Sequence, residues 1–131
     1  MSDDECLAII ANLPGKVDKI ILSGGEPLAE KKQLYLILDT LIAKYGKDQK
    51  IILQTNGDLM TSGILDTLIQ KGVKGISIAS LDRFHKYAGA KLEGLKELFN
   101  SRGMIDIMNL KKILKTQHIT FAKYIPGQGI F

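Results

Sequence analysis

Apolar positions along the chain recur in two alternating rhythms, one helical and one of strand type. Leu7, Ile10 and Leu13 stand at helical intervals in residues 2–13. Ser2 suits the N-cap, Asp3, Asp4 and Glu5 suit the positive end, and Pro14-Gly15 stops the run. The spacing predicts a second helix over 30–45, with Leu34, Ile37, Leu38, Leu41 and Ile42 inward, its charges facing away and Gly46 as the stop. A third is predicted over 61–71, capped by Thr61 or Ser62, carrying Ile64, Leu65, Leu68 and Ile69 and ending at Gly72. Between these lie Val17–Ser23, Lys50–Thr55 and Gly75–Ser80, short runs rich in Ile and Leu that read as strands, the first tending to burial on both faces near its end. Helical crossovers between successive strands require parallel order, so the reading is an α/β fold: a parallel sheet built from βα units, either an open Rossmann-like sheet or part of a β/α barrel.

The last third is less regular. Leu92, Leu95, Leu98 and Phe99 predict a helix ending at Arg102-Gly103, and Ile105, Met108, Leu110, Ile113 and Leu114 predict another helical segment. Ile119–Ile125 alternates as a strand and is broken by Pro126-Gly127.

Length and composition narrow the picture. At 131 residues, 45% hydrophobic, the chain has material for one domain over 1–131 and about half of a complete eight-unit barrel. The net charge of +4 is uneven: residues 83–131 hold 9 basic and 3 acidic groups, against 9 and 11 before them. Those lysines are scattered, without regular aromatic neighbours, so a solvated surface is expected rather than a nucleic-acid face. No apolar run approaches the roughly 18 residues of a membrane helix, and Met1-Ser2-Asp3-Asp4-Glu5 is unlike a basic leader, so a cytoplasmic location is expected. A single cysteine, Cys6, leaves no internal disulfide and no multi-cysteine metal site within the chain, and a buried packing role is expected for it.

Candidate chemistry falls at the carboxyl ends of the strands, which a parallel sheet gathers on one edge. Gly24 and Gly25 permit close backbone approach, Glu26 supplies an acceptor, and Pro27 stiffens the turn. Such a loop suits an amine-bearing ligand and lacks the lysine and glycine spacing of a phosphate loop. Glu26 equally suits the start of the helix over 30–45. Thr55 and Asn56 would present a hydroxyl and an amide at the same edge, while Asn56-Gly57 also makes an ordinary turn. Ser77, Ser80 and Asp82 lie on or after the third strand, where hydroxyl recognition and helix capping both fit Ser80 and Asp82. His85, three residues beyond Asp82, lacks a companion nucleophile, and His118 stands alone; Tyr87 and Tyr124 suit packing at a rim.

In order, Ile20–Leu28 with its Gly24-Gly25-Glu26-Pro27, then Leu53–Gly57, then Gly72–Asp82, the sequence resembles part of the radical S-adenosylmethionine (radical SAM) superfamily over about residues 2–100. The resemblance implies a truncated form of that family's partial β/α barrel, with S-adenosylmethionine lying across the strand ends. Gly24, Gly25, Glu26 and Pro27 would meet its methionyl amine largely through the backbone, with Glu26 as a buttress. Thr55 and Asn56 would line the cofactor edge, and Ser77 or Ser80 with Asp82 would stand near the ribose or substrate. Members hold a [4Fe–4S] cluster on a CxxxCxxC loop preceding the first helix, and this chain has neither that loop nor the strand before it. Such a cluster therefore belongs to the complete enzyme only, and the chain alone is expected to be inactive. The cluster segment would be supplied in cis or trans. The vacant position beside the first strand predicts self-association. The alternative function is a non-catalytic interaction or regulatory module that kept the turns for folding.

Overall fold

The computed structural model describes residues 2–23, 26–78, 89–106, 119–125 and 129–130. Helix α1 (Asp3–Ala11) starts at Ser2, whose hydroxyl accepts from the Glu5 amide at 3.1 Å and donates to the Glu5 carboxylate, closing the N-terminus from both sides. Strand β1 (Lys19–Leu22) leads to a 3₁₀ turn at Pro27–Glu30 and then α2 (Lys31–Tyr45). Strand β2 (Lys50–Thr55), α3 (Ser62–Gln70) and β3 (Gly75–Ile78) follow, with Thr61 capping α3 through the Ile64 amide. Helix α4 (Gly89–Asn100) precedes β4 (Met104–Asp106), β5 (Ile119–Ile125) and β6 (Gly129–Ile130).

The sheet runs β1-β2-β3-β5-β4, with β6 against β5. β1, β2 and β3 pair in parallel, in chain order, as the crossovers predicted. The all-parallel expectation fails at β5, which is antiparallel to both β3 and β4. β4 therefore runs in the same direction as β3, with β5 slotted between them. Ile105, assigned to a helix from its spacing, is in β4. Three residues after the turn at Gly103 are too few for a helical period to be told from a strand. Met108 to Leu114 lie outside the described residues.

Register separates the two faces of the sheet. Ile20 and Ile51, then Leu22, Leu53 and Ile76, then Thr55 and Ile78 stand abreast on one face. There Ile51, Leu53, Ile76 and Ile78 join Leu34, Leu38 and Leu41 of α2, Leu65 and Leu68 of α3, and Leu95 and Phe99 of α4 in one core cluster. Each such buried side chain contributes on the order of 2 kcal/mol of transfer free energy. Ile21, Ile52 and Gly75, and beyond them Gln54 and Ser77, alternate onto the opposite face. Ile21 is 53% exposed, against the expectation that the last residues of this strand are buried on both faces, because among the described residues β1 is the terminal strand of the sheet and pairs on one side only, with β2.

Side chains of α2 hold the connection before β1. Lys44 was expected to face away with the other charges of its helix, yet its ammonium donates to the carbonyls of Ile10 (2.8 Å) and Leu13 (2.7 Å), placing a cation at the negative end of α1. The Tyr45 hydroxyl donates to the Pro14 carbonyl at 2.6 Å, and Gln49 reaches the Val17 carbonyl. Cys6, on α1, is buried as expected.

Among the described residues two ion pairs pin α3 to its neighbours: Lys71 with Asp39 of α2, and Arg102 with Asp66 through one bond to each carboxylate oxygen, of 2.9 and 3.1 Å. The hydrogen bond from Arg102 holds the Asp66 carboxyl below its ordinary range, outweighing the opposing effect of desolvation. A lowered folded-state pKa gives stability that is complete above the carboxyl's unfolded value and lost as pH falls through the folded one. Urea midpoints measured from pH 6 down to pH 2 should therefore fall more steeply for the native chain than for Asp66→Asn. Identical slopes would show that the pair contributes nothing measurable to stability.

Candidate functional site

The loops after β1 and β2 meet on a carboxylate. Glu26 lies between the end of β1 and the 3₁₀ turn, half-buried, and accepts from donors on both sides of it in sequence and space. Within its own loop it accepts from the Leu28 amide at 3.3 Å and caps the turn. Across the sheet its two oxygens receive the Thr55 hydroxyl at 2.5 and 2.8 Å, and one of them also receives the Asn56 amide at 3.0 Å. Pro27 opens the 3₁₀ turn, a position that needs no amide donor.

Thr55 is the one polar residue among the described ones that is buried, at 2% exposure. It faces the helices because it follows Leu53 by two on β2, and its hydroxyl also accepts from the Gly57 amide at 3.2 Å. Asn56-Gly57 forms the turn that its sequence predicts. The Asn56 side chain accepts from the Asp58 amide at 2.9 Å in a local turn, and Gly57 has φ of +80°, while the Asn56 backbone joins the Glu26 carboxylate. A Cβ at Gly57 would stand 3.1 Å from Leu95 and 3.6 Å from Ile78, so the turn rests on α4 and the end of β3.

The chain is similar to an S-adenosylmethionine-dependent enzyme. Over 115 residues, covering 74% of this chain, it is 32% identical to the AdoMet-dependent heme synthase of Methanosarcina barkeri (strain Fusaro / DSM 804). The matched part is 31% of that synthase, so the chain spans about a third of the relative's length. No protein-family model matches the chain, and no solved structure matches it.

Of the residues singled out from sequence, Glu26, Pro27, Thr55 and Asn56 come together at the ends of β1 and β2. Ser77 stands on the face away from the helices, beside Gln54 in the register. Gly24, Gly25, Ser80, Asp82, His85, Tyr87 and His118 lie outside the described residues, and Tyr124 falls in β5. Gln54 was missed. Once Thr55 is placed on the helix-facing side, strand alternation turns its neighbour Gln54 to the other face, where a half-buried amide flanks Ser77. Among the described residues no group of three or more His, Cys, Asp or Glu is arranged to hold a metal ion, and no helix is long and apolar enough to cross a membrane.

Proposed function

We propose that the chain is the S-adenosylmethionine-binding portion of a radical SAM-type enzyme, built as a slice of a β/α barrel. The observation that carries the reading is the tie from Glu26 to Thr55 and Asn56, which sets the loops after two adjacent parallel strands side by side at one sheet edge. Chain-order pairing of β1, β2 and β3, with the core cluster on one face, supports a barrel-like succession of units. The likeness to an AdoMet-dependent enzyme over most of this chain supports the ligand.

The residues present do not fit a [4Fe–4S] cluster. The sequence has one cysteine, and it is packed into α1, whereas cluster ligation takes several thiolates. Reductive cleavage of S-adenosylmethionine is therefore not assigned to these residues. Their share is to bind and orient: the Gly24–Pro27 loop approaches the ligand through backbone, Glu26 fixes that loop to β2, and Gln54 and Ser77 offer neutral hydrogen-bonding groups on the other face. The same reading assigns the outer edge of β1, with Ile21 exposed, to a strand from the rest of such an enzyme or from a second copy.

Calorimetry with S-adenosylmethionine tests the reading on this chain and on the chain joined to an N-terminal segment bearing a CxxxCxxC loop. Weak binding to the first and at least tenfold tighter binding to the second are expected, because the cluster iron adds an anchor for the amine and carboxylate. Silence in both, with folding confirmed by circular dichroism, would remove it.

A further inference from the structure

We infer that Thr55 is a positioning residue: its buried hydroxyl is a tether that makes the loop after β1 and the turn after β2 one mechanical unit. The step rests on the ligand reading above only where it concerns affinity. The tether itself stands on geometry.

The Thr55 hydroxyl has one proton to give and gives it to the Glu26 carboxylate, while its lone pairs take the Gly57 amide. At 2% exposure this hydroxyl is in the core layer, on the side of the sheet that carries Leu53. What it controls is position. The Glu26 carboxylate also holds the Leu28 amide, so one continuous series of hydrogen bonds runs from the 3₁₀ turn to Gly57. Gly57 in turn lies against Leu95 of α4 and Ile78 at the end of β3. The polar chain thus continues into packed side chains, and the ends of three successive strands share one support. Backbone so braced, from Glu26 to Leu28 and from Thr55 to Gly57, is held in one arrangement before a ligand arrives, which lowers the ordering cost of binding.

Hydrogen exchange at two amides that lie at opposite ends of the series tests the tether. Thr55→Val removes the hydroxyl at nearly constant volume and Thr55→Ser keeps it. Exchange is read relative to Leu53, so that a uniform loss of stability cancels. Thr55→Val is expected to speed exchange at Leu28 about tenfold, although Leu28 does not bond to Thr55, and Thr55→Ser is expected to restore it. Reciprocally, Glu26→Ala, which leaves the Thr55 hydroxyl no carboxylate to donate to, should speed exchange at Gly57 relative to Leu53, and this arm decides the matter if Thr55→Val does not fold. Unchanged Leu28 protection in a folded Thr55→Val, or unchanged Gly57 protection in a folded Glu26→Ala, would overturn the tether. S-adenosylmethionine is then titrated into the same proteins, with about tenfold weaker binding expected for Thr55→Val and near-native binding for Thr55→Ser. A folded native chain indifferent to S-adenosylmethionine both alone and joined to the CxxxCxxC-bearing segment, with the exchange pattern as expected, would reject the ligand reading and leave the tether standing.

Discussion

Glu26→Ala is expected to lower stability by about 3 kcal/mol, a large share of what a domain of this size has to lose. The carboxylate accepts from the Thr55 hydroxyl and from the amides of Asn56 and Leu28, and alanine leaves all three without their acceptor. Hydrogen bonds to a charged group contribute roughly 1.5–3 kcal/mol each, and a buried donor left unpaired costs about 1–3 kcal/mol. Simple addition overshoots, since Asn56 is half-buried and water reaches part of the gap. The Thr55 hydroxyl, in the core layer, carries most of the penalty. Urea unfolding followed by circular dichroism measures it. Glu26→Gln keeps one acceptor oxygen and should lose only about 1 kcal/mol. A loss below 1 kcal/mol for the alanine variant would mean that the strand ends are held by packing alone.

Gly72→Ala should be comparably damaging, again by about 3 kcal/mol, through two separable causes. Gly72 follows α3 with φ of +99°, a conformation that costs a side-chain-bearing residue on the order of 1–3 kcal/mol. A Cβ there would also come within 2.6 Å of Ile42 Cδ1 and 3.0 Å of its Cγ1, and Ile42 packs against the core from α2. The methyl must either push the Ile42 side chain out of its place or open the contact between α2 and α3. Gly46 provides the control: its φ is +92°, and nothing lies within 4 Å of a Cβ built on it. Gly46→Ala therefore reports the backbone cost alone. Equal losses in denaturant at the two sites would show that Ile42 adapts without cost.

The parallel half of the fold was legible because its signals are local and repeated. Helical spacing in 30–45 and 61–71 is punctuated by Gly46 and Gly72, both at positive φ, and each interval between strands has room for one crossover. Where pairing partners are distant in sequence, the reading failed. β4 has three residues and no rhythm of its own, and nothing local announces that β5 enters between β3 and β4. Lys44 was assigned to solvent because periodicity sorts residues by face and does not register that a long side chain on an exposed flank can reach carbonyls of another helix. At the site, sequence brought Glu26 and Thr55 forward as separate motifs. Their bond depends on register, with Leu22 beside Leu53 placing the next residues of each strand at a common height. The same register shows Thr55 turned toward the helices and Gln54 turned away, a distinction that motif spelling does not contain.

The place of β5 governs the order in which the molecule can be completed. β1, β2 and β3 come together over short stretches of chain, so their assembly carries little loop-closure cost and can proceed as soon as the third strand is made. The far side of β3 has no β5 to pair with until Ile119–Ile125 leaves the ribosome, after β4 is already present. A nascent chain thus passes through a stage in which an interior strand of the finished sheet is still a margin. Late insertion of a single wedge then converts two separate pieces into one continuous sheet.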